Sequence, residues 1–145
     1  MSNSKADFRA LRETVGLSQQ DVADALEVDI RSVKRWEAPN YDNQPVSAAW
    51  ALLERYHALH VRAVEVAVEQ VERIISKLGH APQSVRVTYW RDQAEYDAHG
   101  RDRGPFGAAN ANSRAVAEAL RQYGVMTEFF YWDDDDAIST PGSHY

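Results

Sequence analysis

The chain has no cysteine. Disulfide staples, thiolate zinc sites and thiol catalysis are therefore excluded. It also lacks any run of eighteen apolar residues, so nothing in it reads as a membrane-spanning helix. Met1 to Asp7 is polar and mixed in charge, without the basic-then-apolar layout of a signal peptide. A cytoplasmic location is the expectation. An excess of positive charge is missing too: 16 Lys and Arg face 22 Asp and Glu, a net charge of −6. That balance counts against tight, non-specific binding to a polyanion, which scales with the phosphates that Lys and Arg neutralise.

The distribution of charge says more than its sum. From Met1 to Pro45, six bases (Lys5, Arg9, Arg12, Arg31, Lys34, Arg35) meet eight acids, and three of the six crowd into Arg31 to Arg35. At the other end, Glu128 and Asp133 to Asp136 add five acids and no base. Most of the negative excess is thus a property of the tail. A length of 145 residues allows one ordinary domain, or two small ones that share a helix.

The few Gly and Pro residues punctuate the chain. Phe8, Leu11 and Val15 recur at helical spacing, and Gly16 ends that helix. Ser18 caps a second helix, with Asp21 three residues on and Val22, Ala23 and Leu26 along its apolar side. Glu27-Val28-Asp29 is a short connection. Asp29 caps a third helix that turns Val33 and Trp36 inward. Residues 39–45 are a loop by composition. Ser47 to Leu78 holds no Gly or Pro and reads as one long helix, or two nearly end to end, stopped by Gly79. Its apolar stripe through Leu53, His57, His60, Val64, Ala67, Val71, Ile74 and Leu78 alternates four and three.

Beyond a linker at 80–83, Ser84 to Arg91 alternates as a strand, with Val85, Val87 and Tyr89 on one face. Asp92 and Glu95 open a short helix through Tyr96. Gly100 to Asn112 reads as a loop. Asn112 or Ser113 caps a further helix, with Val116, Leu120 and Tyr123 inward and Gly124 as its stop. Val125 to Trp132 is a second strand, and 133–145 is an acidic tail expected to be disordered. Two strands make a marginal sheet alone, and both faces carry large side chains. Such a unit calls for a partner, and a second copy is the simplest one.

The segment Leu17 to Glu37, LSQQDVADALEVDIRSVKRWE, resembles the helix-turn-helix of the lambda-repressor-like, or XRE/Cro, family. The matching parts are a capping polar residue followed by Gln, a Val-Ala pair, a three-residue turn, and a second helix ending in Trp-Glu. In that pattern Ala23 lets two helices cross closely. Val28 and Val33 plug the bundle from the turn and the second helix, and Trp36 anchors that helix. Glu27 stands where the family usually has Gly, so the turn either carries left-handed strain or takes another form.

The resemblance implies a mainly α fold: a five-helix DNA-binding bundle over 1–60, then a long connecting helix and a small α+β dimerisation domain over 61–132. It also implies the roles of residues. Ile30, Arg31 and Ser32 match the positions that meet base edges in the major groove, with Arg35 one turn further on. Arg31 and Arg35 can pair bidentately with guanine, and Ile30 can meet a thymine methyl. Ser18, Gln19 and Lys34 fall to phosphate contacts, which position without specifying. The order of the later elements, beginning Val87-Thr88-Tyr89-Trp90-Arg91-Asp92-Gln93-Ala94-Glu95-Tyr96, is similar to two-domain phage regulators that include anti-CRISPR-associated repressors and YdiL-like proteins. Those repress their own operons as homodimers on inverted repeats. Here the dimer is expected to bury Val64, Val71, Ile74, Leu78, Tyr89, Phe129 and Tyr131.

The expected function is a homodimeric, nucleoid-associated transcriptional repressor on double-stranded DNA, without cofactor, metal or enzymatic activity. The alternative is an antitoxin-like protein whose C-terminal half clasps another protein. Tyr89, Trp90, Phe130 and Trp132 could also stack on RNA bases, although sheet core is the commoner use. Glu54, His57 and His60 have metal-ligand spacing, but no second copy of the motif exists, so polar positions in an apolar seam are the simpler reading. Residues 100–107 lack the pattern of a phosphate-binding loop.

Overall fold

The computed structural model describes residues 3–132. The acidic tail expected at 133–145 lies outside the described residues. Within them are six helices: α1 (Lys5–Val15), α2 (Gln19–Leu26), α3 (Ile30–Glu37), α4 (Ser47–Leu78), α5 (Gln93–His99) and α6 (Phe106–Arg121). Two strands, β1 (Ser84–Thr88) and β2 (Met126–Phe130), complete a mainly helical protein with one small sheet. No helix among the described residues is long and apolar enough to cross a membrane. The chain forms two compact units, Met1–His60 and Val61–Tyr145.

In the first unit, local signals set the helix starts. Ser4 and Ser18 each form a reciprocal capping box, with Asp7 and Asp21 respectively. Gly16, at φ 82°, closes α1. Phe8, Val15, Leu17, Val22, Ala23, Val33, Trp36, Ala49 and Leu53 are buried together as the core. Phe8 is its centre, meeting the Trp36 and Trp50 rings edge to face at 6.1 and 5.2 Å. The described residues of this unit hold three whole helices and the first part of α4, one helix fewer than the resemblance implies. Val28 also departs from expectation. It does not plug the bundle but is 36% exposed. Its backbone N–H, which donates to the Ala23 carbonyl at 3.0 Å, is what closes the turn onto α2.

In the second unit the strands run parallel, pairing Ser84 with Met126 through to Thr88 with Phe130. A parallel pair needs a long crossover, here supplied by α5 and α6. Val71, Leu120 and Val125 form the core, with Ala67, Ile75, Val85, Val116 and Tyr123 packed around them. Several boundaries differ from the sequence reading. The strands are shorter because the backbone of Trp90 is taken by a side chain. Asn110 accepts from the Trp90 N–H and donates to its carbonyl, both at 2.8 Å. The expected loop at Gly100 to Asn112 ends early, since α6 begins at Phe106. Gln93 Oε1 accepts from the Phe106 N–H, while Ala108, Asn110 and Ala111 are buried. Asn112 and Ser113 therefore lie inside α6 rather than capping it. Asp92 does cap α5, accepting from the Glu95 N–H at 2.9 Å, and that helix continues to His99.

Candidate nucleic-acid interface

Helix α3 has two chemically different sides. Val33 and Trp36, three residues apart, face the core. Arg31, Lys34 and Arg35, at i, i+3 and i+4, share an exposed face. Ile30 and Ser32 are half-buried in the first turn. The helix is joined to α2 through Glu27, at φ 55°, the one non-glycine residue with positive φ among those described. Of the two forms open to the turn, it takes the left-handed one.

Each cation on the exposed face has its own circumstances. The Arg31 guanidinium folds back on the N-cap carboxylate of its own helix, with Nε 3.0 Å and Nη2 2.9 Å from the two Asp29 oxygens. Hydrogen bonding from Arg31, first through its side chain and then through its backbone N–H, holds the Asp29 carboxyl down to about 2. Asp29 is thus ionised at every pH at which binding would be measured. The pair is exposed, and exposed pairs contribute little, so Arg31 can leave Asp29 for a better partner at small cost. The Arg35 guanidinium lies over the exposed Tyr41 ring, 5.4 Å from its centroid. Lys34 is exposed and has no ion pair among the described residues.

Three contacts fix the far end of α3, and none of them has a local signal in the sequence. The Lys5 ammonium, from α1, donates to the carbonyls of Arg35 at 2.7 Å, Trp36 at 3.2 Å and also Asn43. It thereby satisfies carbonyls that a helix C-terminus leaves open. Arg12 of α1 grips Glu37 bidentately, Nε to Oε2 at 2.6 Å and Nη2 to Oε1 at 2.8 Å, with both side chains nearly buried. Its remaining Nη1 donates to the Leu17 carbonyl at 3.0 Å. Gln19 Nε2 joins the same Glu37 carboxylate at 3.2 Å. A buried polar network thus ties α1, the start of α2 and the end of α3 together. It leaves Arg31, in the first turn of α3, exposed.

The other expected site residues are placed as follows. Ser18 Oγ accepts from the Asp21 N–H, and Gln19 is engaged by Glu37. Of the expected dimer residues, Val71 is consumed in the core of its own unit, at 3% exposed, and has no surface left for a partner. Val64, Ile74 and Tyr89 are half-buried, whereas Leu78, Phe129 and Tyr131 are 64%, 43% and 45% exposed. The His57 and His60 rings stack at 6.4 Å, and no metal-holding group of three or more His, Asp or Glu occurs among the described residues. No protein-family model matches the chain, and no curated protein matches it.

Proposed function

We propose that the protein is a sequence-specific binder of double-stranded DNA that acts as a homodimeric transcriptional repressor, with α3 as its reading helix. One observation carries the reading. A helix anchored at its C-terminal end by a buried network presents Arg31, Lys34 and Arg35 on one exposed face. Major-groove reading uses the N-terminal residues of such a helix. Arg31 exchanges the Asp29 carboxylate for the O6 and N7 edge of a guanine, an equally bidentate partner. Arg35 reaches the same groove one turn later, and Ile30 and Ser32 border it. Lys34 neutralises a phosphate.

A single α3 covers only a few base pairs, too little to choose one site in a genome. Two copies related by a two-fold axis double the contact and demand an inverted repeat, with half-sites about 34 Å apart. The apolar side chains that α4 leaves outside its own core, Val61, Val64 and Leu78, supply surface for that pairing.

The test is selection of bound sequences from random DNA with the full-length protein. An inverted repeat with a guanine in each half-site is expected. Arg31→Ala should then cost about 1–3 kcal/mol on the selected site and relax one position in each half. Lys34→Ala should weaken all sequences to a similar degree. Failure to enrich any sequence, or an Arg31→Ala protein that selects the parental site with parental affinity, would remove α3 from the role of reader.

A further inference from the structure

The carboxyl ends of the two parallel strands in the second unit border an open pocket of about 530 Å³. Tyr89, Phe129, Phe130 and Tyr131 wall it, and Arg114 from α6 lines it with them. The Tyr89 and Phe129 rings meet edge to face at 5.4 Å. Phe129 and Tyr131 nevertheless remain nearly half exposed. Aromatic surface beside a concave site is what small-molecule sites offer, together with a few polar groups that fix orientation.

The polar groups here are specific. Arg114 is the one charged residue of the lining. Its Nη1 donates to the Tyr89 hydroxyl at 2.6 Å, and no carboxylate pairs with it among the described residues. With Nη1 turned to the phenol, the Nε–Nη2 edge of the guanidinium keeps the fork geometry that matches a carboxylate. The phenol accepts from Arg114 and so retains its own O–H to donate. A guanidinium and a hydroxyl thus lie together beside an aromatic wall.

We propose that this pocket binds a small planar aromatic carboxylate. Its ring lies against Phe129, and its carboxylate takes the Arg114 fork and the Tyr89 hydroxyl. A second copy pressing an apolar face here would bury the guanidinium against a neutral phenol alone, which is strongly unfavourable. A carboxylate on an aromatic ring satisfies both halves of the pocket at once. This inference stands apart from the DNA reading, since every residue in it belongs to the second unit.

The experiment is calorimetric titration of the full-length protein, without DNA, with 1-naphthoate. Its neutral isostere 1-naphthamide and sodium acetate serve as controls. Saturable binding of one naphthoate per chain is expected. Loss of a charge-assisted pair corresponds to about tenfold or more in affinity, so naphthamide should bind at least that much more weakly. Arg114→Gln should weaken naphthoate by a similar factor and leave naphthamide unchanged. Phe129→Ala should weaken both. Arg114 is exposed, and an unchanged melting temperature verifies that its variant is folded. Absence of saturable naphthoate binding overturns the proposal, as does an Arg114→Gln protein that binds it as well as the parent. If naphthoate fails to bind and Phe129→Asp turns a dimer into a monomer, the aromatic wall belongs to a subunit contact and the proposal falls.

Discussion

Glu37 carries more of the first unit than its place at a helix end suggests. Its two carboxylate oxygens hold Arg12 bidentately and accept from Gln19 as well. Removing the carboxylate leaves a nearly buried guanidinium with the Leu17 carbonyl as its remaining partner among the described residues. Breaking a buried pair from one side typically costs about 3–5 kcal/mol, because the survivor keeps an uncompensated charge. Glu37→Ala should therefore lower stability by about that much in urea melts of the full chain. Arg12→Met combined with Glu37→Leu should recover most of the loss, since neither charge is then stranded. A loss below about 1 kcal/mol for Glu37→Ala would mean that water already reaches the pair. Asp29 acts oppositely, on the exposed side. Its exposed pair with Arg31 adds little stability.

At the scale of the element, the α2–α3 turn is where the chain departs from ideal chemistry. Glu27 sits at φ 55° and ψ 44°, and its N–H closes onto the Ala23 and Asp24 carbonyls as the C-cap of α2. A left-handed residue with a Cβ costs roughly 1–2 kcal/mol, whereas glycine pays roughly 0.5–1 kcal/mol in unfolded-state entropy. Glu27→Gly should thus stabilise the first unit by about 0.5–1 kcal/mol, a rise of a few degrees in a thermal scan. Glu27→Val should do the reverse, because a β-branched side chain tolerates this region worst. Equal midpoints for the two variants would show that the turn relaxes to another form. The cap at Ser18 was legible because it acts over three residues. The start of α6 was not. It depends on Gln93 and Asn110 bonding to backbone groups that are distant in sequence, and such contacts override the loop signal of Gly100 to Asn112.

For the whole molecule, the proposed repressor requires two copies, and α4 offers the surface. Val61 and Leu78 are 41% and 64% exposed, and a second copy would cover them. The full-length protein should be a dimer by light scattering at micromolar concentration. Val64→Asp with Leu78→Asp should shift it to monomer, with helix content by circular dichroism retained. Affinity for the selected inverted repeat should then fall by about a hundredfold or more, since only one half-site is held at a time. A monomeric parent that still binds the repeat tightly would defeat the two-fold argument. The second unit would then serve some other partner.

The sequence by itself determined the elements whose causes are local. Caps, stops and the i, i+3 spacing of Val33 and Trp36 placed α1 to α4. They also separated the inward side of α3 from the face bearing Arg31, Lys34 and Arg35. What the tertiary structure alone decided depends on residues far apart along the chain. Arg12 and Glu37, twenty-five positions apart, meet in one buried pair. Lys5 reaches the end of α3 across thirty. The parallel pairing of β1 and β2 is equally non-local, because alternation marks a strand but carries no direction. Val71 looked like one more member of an apolar seam until Leu120 and Val125 closed over it. Periodicity reports which side of a helix is apolar, and only the folded chain decides whether that side meets its own core or remains for a partner.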